Sequence, residues 1–238
     1  MLRILSYYYF NIFLRDMKIA LDKELFLSYY YMYNNNKGET MKTIKNGDKK
    51  YLNDSELHAF QVVIEKGKNR RDIFAFNLTL FLGLRVQELC NIKLLDIDNN
   101  EQTITIRGLK SGRVRTYDIP GKLWRRYKAW IKDRAYISTA KDNDYLFPAR
   151  LYHDCPLTAQ AFKKLFKQYA NKAELNIDYS IHSLRHSCAM IRVRAGSHPV
   201  AVQKWLRHRS LSSTEVYFEA FLGEKDNKVA AAQFENYM

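Results

Sequence analysis

The stretch SIHSLRHSCAMIRVRAGSHPVAVQKWLRHRSLSSTEVYFEAF, residues 180–221, decides how this chain is interpreted. His182 and Arg185 lie within about one helical turn of each other. Further along, His208 precedes Tyr217 by nine residues. Guanidinium groups bind phosphate oxygens through paired hydrogen bonds, and a tyrosine hydroxyl can attack phosphorus to form a covalent intermediate. The stretch therefore indicates chemistry on a phosphodiester.

The composition predicts a globular protein with a polyanionic partner. The 238 residues suffice for one large domain, or for one domain with a small appendage, and 47% of them are hydrophobic. Lys and Arg total 39 against 25 Asp and Glu, a net charge of +14, and nucleic acid is the commonest partner of so basic a chain. A basic surface without such a partner is the alternative that charge alone leaves open.

Cysteine usage and hydropathy indicate the compartment. Cys90, Cys155 and Cys188 are far apart and form no CxxC pair, so we expect reduced thiols rather than disulfides or metal ligands. The apolar start of the chain lacks the small-residue cleavage site of a signal peptide. No apolar run approaches the roughly 18 residues of a membrane span. We therefore expect a cytoplasmic, DNA-associated protein with no membrane partner.

The chain divides near residue 50. Residues 1–33 are rich in tyrosine and long apolar side chains with helical spacing. Residues 34–50 are polar and lysine-rich, which is typical of a linker. We therefore expect a short N-terminal helical segment with its polar linker over residues 1–50. A catalytic domain that includes a C-terminal tail helix is expected over residues 51–238.

Caps and apolar patterns predict that this domain is mainly helical. Cap residues precede an amphipathic helix that Gly67 ends. Residues 70–84 are apolar on nearly every side, which predicts a buried helix, and Gly83 breaks it. Arg85 then opens the next helix. The sequence thus places Arg85 at a helix start beside the core.

A small antiparallel sheet is predicted next. A turn at residues 98–100 precedes polar–apolar alternation over 103–106, and a hairpin leads into residues 113–120. Lys110 lies at or near the tip of that hairpin. The predicted fold class is mainly α with a small three-stranded antiparallel sheet, that is, α+β.

Further helices complete the predicted domain. Trp124 and Trp130 belong to the apolar face of the first of them, and we expect both to pack in the core rather than stack on bases. The predicted helices cover residues 121–136, 158–175, 183–195, 199–206 and 213–217, with a helical tail around 229–234.

Four segments resemble, in their order, the tyrosine recombinase family, which includes phage integrases and bacterial chromosome-dimer resolvases. They are LGLRVQEL around Arg85, GLKSGRVRTYDIP around Lys110, IHSLRH around Arg185, and LRHRSLSSTEVYF with His208 and Tyr217. Each motif alone is common by chance, but the order of the four and the nine-residue step are specific. The resemblance covers roughly residues 50–221.

The resemblance implies a tyrosine recombinase catalytic-domain fold and a site-specific DNA recombinase. Such an enzyme cleaves and rejoins DNA through a 3′-phosphotyrosine intermediate, in integration, excision, inversion or resolution. It needs neither a cofactor nor a metal. The resemblance also implies six catalytic residues: Tyr217 as nucleophile, Arg85 and Arg185 as phosphate clamp, His208 as a further donor, Lys110 as acid to the leaving oxygen, and His182 as base.

The partners implied are double-stranded DNA, a homo-tetramer with two protomers on each of two sites, and accessory proteins. The apolar tail, Gly223–Met238, is expected to dock on a neighbouring protomer, with docking on its own chain as the alternative.

Several residues also have plainer interpretations. Arg85 could serve only as a helix-start ion pair with Glu88, and Glu88 is expected to orient Arg85 or a neighbouring side chain rather than to react. We expect His186 to be a structural hydrogen-bonding group. Lys110 has rivals, because Lys93 and Arg113 are other cations near it in sequence.

Two departures from the family pattern concern activity. Leu206-Arg207-His208 stands where the family usually has Leu-Gly-His. If that position needs a left-handed backbone, arginine costs roughly 1 kcal/mol there; otherwise it could add a phosphate contact. In addition, the chain before residue 51 is shorter than the DNA-clamping domain of many members. Two alternative functions stay open: a topoisomerase with the same 3′ linkage, which shares the chemistry, and a catalytically idle DNA-binding relic, which the short N-terminus favours.

Overall fold

A computed structural model describes residues 50–108, 114–149, 154–208, 210–211, 213–219 and 221–222. These residues belong to two compact units, one with residues 50–189 and 205–208, the other with residues 190–204 and those described from 210 onward. The predictions for the N-terminal segment, for Lys110 and for the tail fall outside the described residues. The predicted boundary near residue 50 stays a prediction.

The first unit begins with two helices whose ends the sequence predicts. Helix α1, Asp54–Lys66, has a capping box in which Asn53 and Glu56 bond each other's backbone N–H groups. Helix α2, Arg70–Leu82, is buried over most of its length, as its apolar character predicts. Both helices pack into one aromatic and aliphatic core.

Gly83 ends α2 and turns the chain. Its φ of +58° is a left-handed conformation, and a Cβ atom there would lie 2.4 Å from Leu206 Cδ2. Only glycine meets both demands. Helix α3, Val86–Cys90, then starts with Arg85 as its N-cap, as the sequence predicts.

The sheet has three antiparallel strands in the order β1-β2-β3: β1 Ile97–Asp98, β2 Thr103–Arg107 and β3 Val114–Asp118. Ile104 pairs with Tyr117, and both side chains are buried. The prediction of a mainly helical domain with a small three-stranded sheet is therefore confirmed.

Two amphipathic helices follow the sheet, α4 Gly121–Arg134 and α5 Ala159–Lys172. Trp124 and Trp130 are buried, and the indole N–H of Trp130 donates to the Leu146 carbonyl at 3.1 Å. Their predicted packing role is confirmed. Short 3-10 turns, Leu94–Asp96 and Ser138–Ala140, were not predicted.

The opening stretch forms three helices close to the predicted bounds: α6 Ile181–Arg194, α7 Pro199–Leu206 and α8 over residues 213–219. Helices α6 and α7 each contribute residues to both units. Helix α8, which carries Tyr217, belongs to the second unit. Across the part of the chain that the structure describes, no helix has the length and apolar character needed to cross a membrane.

Candidate active site

Arg85 is held by a carboxylate one helical turn away. The Glu88 carboxylate accepts from the backbone N–H of Arg85 at 2.9 Å and from Arg85 Nη1 at 2.9 Å. The Glu88 side chain is fully buried, whereas that of Arg85 is 31% exposed. The ion pair between Arg85 and Glu88 that the plainer interpretation requires is therefore present. Its exposure leaves this guanidinium accessible to a ligand as well.

Arg185 reaches the same carboxylate from α6. Its side chain is buried, and its Nη1 lies 3.8 Å from Glu88 Oε2. Nη1 also donates to the carbonyl of Gly83, and Nη2 donates to the carbonyl of Leu206. Arg185 therefore connects the turn before Arg85 to the end of α7.

Arg207 adds a third guanidinium. Its Nη2 donates to Glu88 Oε2 at 2.8 Å, and its Nη1 donates to Tyr117 Oη at 2.7 Å. The backbone of Arg207 has a φ of +56°, so the left-handed conformation that favours glycine is present here. The side chain is 1% exposed, so in this structure it points inward to Glu88 and Tyr117, and a phosphate contact by Arg207 stays untested.

Among the described residues that contact Glu88, guanidiniums outnumber carboxylates. Burial raises the pKa of this carboxyl, but the nearby guanidiniums, Arg207 foremost, outweigh burial and leave the pKa below its usual value. Three guanidiniums then face one carboxylate. This group, Arg85, Glu88, Arg185 and Arg207, is called the Glu88 cluster below. It carries an excess of positive charge beside the partly exposed Arg85.

Three histidines lie in the field of this cluster. Burial, and then the charges of Arg185 and Arg85, lower the pKa of His208 to about 3. Burial and the neighbouring His182 lower the pKa of His186 to about 4. The pKa of His182 is also lowered, by partial desolvation and by Arg185, although its side chain is exposed. At neutral pH all three rings are neutral, so each has one N–H donor and one acceptor nitrogen.

The imidazoles of His182 and His186 are in edge-to-face contact, with ring centroids 4.9 Å apart. Four residues apart on α6, they lie on the same face of that helix. The expected role of His186 as a structural hydrogen-bonding group stays a prediction, because this ring contact is not a hydrogen bond.

Four of the six predicted site residues thus belong to the first unit: Arg85, His182, Arg185 and His208. Lys110 lies outside the described residues. Tyr217 belongs to the second unit, where its side chain is buried. Tyr179, a rival nucleophile by residue type, donates to Glu56 at 3.1 Å, and burial raises its pKa to about 12.

Sequence analysis missed Tyr117 altogether, and it singled out Arg207 without its contacts to Glu88 and Tyr117. Tyr117 Oη accepts from Arg207 and donates to the Trp205 carbonyl at 2.9 Å, which links β3 to the segment before His208. The one available signal was Arg207 itself, a bulky cation where the family pattern has glycine. Nothing in the sequence indicated that its side chain folds inward.

Comparison with known proteins shows the family to which the chain belongs. The family model described as "Phage integrase family" matches residues 50–222. The chain is 34% identical over 169 residues to "Tyrosine recombinase XerA" of Pyrococcus furiosus, covering 71% of this chain and 56% of that protein. It is 27% identical over 173 residues to "Type 1 fimbriae regulatory protein FimB" of Escherichia coli K12, covering 72% of this chain and 85% of that protein.

Solved structures agree on the fold. A crystal structure of XerA recombinase matches with a TM-score of 0.64 and 24% identity, over 80% of this chain and 66% of that one. The pre-cleavage complex of XerH site-specific recombinase with its difH substrate matches with a TM-score of 0.63 and 24% identity, over 77% of this chain and 54% of that one. The chain spans little more than half the length of the Pyrococcus furiosus XerA protein and of the XerH chain.

Proposed function

Because the chain belongs to the phage integrase family of tyrosine recombinases, we propose that it cleaves and rejoins DNA at specific sites through a 3′-phosphotyrosine intermediate. The Glu88 cluster is the observation that carries this proposal. An anionic phosphodiester would neutralise its excess of positive charge, and the partly exposed guanidinium of Arg85 is available to bind the phosphodiester.

The proposed chemistry is transesterification. The Tyr217 hydroxyl oxygen attacks phosphorus, a bond from tyrosine to the 3′ phosphate forms, and the bond to the 5′ oxygen breaks. His182, which is neutral at pH 7, accepts the tyrosine proton, since a phenol with a pKa of about 10 requires a base. Lys110 gives a proton to the leaving 5′ oxygen. Attack by a 5′ hydroxyl on the phosphotyrosine reverses these steps and rejoins a strand without ATP.

Donors around the phosphate stabilise the charge of the pentacoordinate transition state. Arg85 donates to a non-bridging oxygen directly. His208 donates through the one N–H of its neutral ring. Arg185 is buried in the described structure, so it acts through its charge and needs a local rearrangement to touch the phosphate.

The partner is double-stranded DNA. The net charge of +14 supports this, as does the solved XerH site-specific recombinase, which is bound to its difH substrate. Recombination of two sites requires a protomer on each half-site, which supports a homo-tetramer on DNA. Accessory proteins are proposed as further partners. We expect the protein to act on DNA in the cytoplasm.

A suicide substrate tests the proposal. A nicked duplex that loses a short 3′-flanking fragment after cleavage traps the covalent intermediate, and sequencing of the trapped DNA identifies the site. We expect adducts with wild-type protein, in EDTA as well as with Mg²⁺, and none with Tyr217→Phe, whose DNA affinity should be nearly unchanged because only one hydroxyl is lost.

Tyr179→Phe is the matched control, because Tyr179 is also buried but is bonded to Glu56. It should form adducts at the wild-type rate. Absence of adducts from wild-type protein would indicate a DNA-binding relic. Adducts without sequence preference would indicate a topoisomerase.

A further inference from the structure

Arg207 occupies a costly position. Its backbone is left-handed, its side chain is buried, and among the described residues its Nε has no hydrogen-bond partner. Backbone strain and an unsatisfied buried donor both oppose stability. Such costs are typical of functional sites, so we expect Arg207 to have a functional role.

Several contacts of Arg207 lead to groups that place the predicted site residues. Nη2 holds Glu88 Oε2 at 2.8 Å, on the carboxylate whose other oxygen holds Arg85 at 2.9 Å. Nη2 also donates to the Gly83 carbonyl at 3.3 Å, an acceptor that Arg185 shares. The turn before Arg85 and the carboxylate after it are thus both fastened to Arg207.

A second arm of the same guanidinium reaches the sheet. Nη1 donates to Tyr117 Oη at 2.7 Å on β3 and to the Trp205 carbonyl at 3.0 Å. Tyr117 Oη in turn donates to that carbonyl at 2.9 Å. Since His208 directly follows Arg207, the bonds that hold this guanidinium also hold the backbone from which His208 projects.

We propose that Arg207 is a positioning residue of the phosphate site: its buried guanidinium sets the Glu88 carboxylate, and through it Arg85, while fastening the His208 segment to β3. It makes no contact with DNA. The inference rests on the proposed strand-transfer function for its kinetic test, but its structural content stands without it.

Lysine at position 207 isolates the contribution of the guanidinium. Lysine keeps the positive charge and the backbone strain of a non-glycine residue but lacks the planar fork, so it cannot hold Glu88 and Tyr117 together. Misplacement of a catalytic group by about 1 Å can cost up to a hundredfold in rate. We expect Arg207→Lys to reduce the single-turnover rate of adduct formation about tenfold at saturating DNA, with unchanged DNA affinity.

Arg134 supplies the matched control. It is another buried arginine, but its described hydrogen bonds go only to the carbonyls of Ala140, Asn143 and Tyr145. Arg134→Lys should lower stability and leave the cleavage rate of the folded protein unchanged. A slow Arg207→Lys beside a normal Arg134→Lys separates positioning from a general loss of stability.

Chemical rescue gives a second test. Arg207→Gly removes the guanidinium and relieves the left-handed strain, so it should fold but cleave slowly. Guanidinium chloride at non-denaturing concentration should restore part of the rate, compared with sodium chloride at equal ionic strength. A cleavage rate for Arg207→Lys equal to wild type, or an equal loss in Arg134→Lys, would overturn the proposal.

A readout independent of activity separates this proposal from the proposed function. In protein labelled with ¹⁵N-arginine, the Nε–Hε signal of Arg85 should move in Arg207→Lys and stay in place in Arg134→Lys. An Arg85 signal unchanged by Arg207→Lys would refute the positioning role even if DNA cleavage is confirmed. If wild-type protein forms no adduct, the strand-transfer function fails and this signal alone decides the role of Arg207.

Discussion

Arg134 and the Glu88 cluster are two ways of burying arginine in one chain. Arg134 lies at the end of α4 and is bonded to backbone carbonyls of the loop that follows. Burial lowers its pKa, and Asp144 acts on it only through its charge. In the Glu88 cluster a single carboxylate serves three guanidiniums.

Arg134 and the Glu88 cluster are suited to different tasks. Carbonyl dipoles complete the hydrogen bonding of Arg134 and tie a loop to a helix, which is a structural task. Within the described residues, three guanidiniums of the Glu88 cluster share one carboxylate, and Arg85 keeps part of its surface exposed. A buried excess of positive charge is destabilising without an anion and favours a phosphate ligand. The predictions below test this distinction, from the largest effect to the smallest.

Glu88→Gln should break the Glu88 cluster. It removes the carboxylate that the buried guanidiniums of Arg185 and Arg207 contact, and removing one partner of a buried ion pair costs about 3–5 kcal/mol. We expect the free energy of unfolding, measured with urea at pH 7, to fall by about that amount. Glu56→Gln is the control, since Glu56 caps α1 without a buried arginine and should cost about 1 kcal/mol. Equal losses would show that the carboxylate does not hold the cluster.

Arg85→Ala and Arg134→Ala should give opposite results. Loss of Arg85 removes a donor to the transition state, so adduct formation should slow by about a hundredfold or more with little change in stability. Lysine should not restore it, because a point charge cannot reproduce the fork. Arg134→Ala should lower the melting temperature and leave the cleavage rate of the folded protein unchanged. A normal rate for Arg85→Ala would reduce Arg85 to its ion pair with Glu88.

The histidines near the Glu88 cluster should make stability pH-dependent. Unfolded histidine has a pKa of about 6.5, whereas in the fold the pKa of His208 is about 3 and that of His186 about 4. Between pH 7 and 5 the unfolded chain therefore binds more protons, and the free energy of unfolding should fall as pH falls. The slope is at most about 1.4 kcal/mol per pH unit for each histidine.

Urea unfolding at pH 7, 6 and 5 measures this slope, and His208→Gln should reduce it by the share of one histidine. The effect has this sign because a lowered histidine pKa means that the folded state resists protonation. A slope unaffected by His208→Gln would mean that His208 is protonated as easily in the fold as in the unfolded chain.

Salt dependence should show the smallest difference between the two arginine groups. If Arg85 neutralises a phosphate, Arg85→Ala should make the slope of log affinity for DNA against log salt less steep by about one unit. Arg134→Ala should leave that slope unchanged, because a buried cation bonded to carbonyls releases no counterions from DNA. Fluorescence anisotropy at several salt concentrations measures both. Identical slopes for Arg85→Ala and wild type would place Arg85 away from the phosphates.

The sequence by itself determined the helices, the sheet and the family. Caps and breakers act over a few residues and can be recognised locally: Asn53 caps α1, Thr158 caps α5, and Gly83 ends α2 as predicted. The alternation that gave β2 and the apolar surface that gave α2 are equally local. Motif order sufficed for the family because it needs no knowledge of which side chains meet.

Only the tertiary structure decided how the site is held together. Glu88 and Arg207 are 119 residues apart in sequence, and no local pattern reveals that they bond at 2.8 Å. Arg207 illustrates the limit: its backbone strain could be anticipated from the missing glycine, but the direction of its side chain could not. That direction depends on which carboxylate lies buried within reach, because a guanidinium leaves water only for a partner that offsets its desolvation.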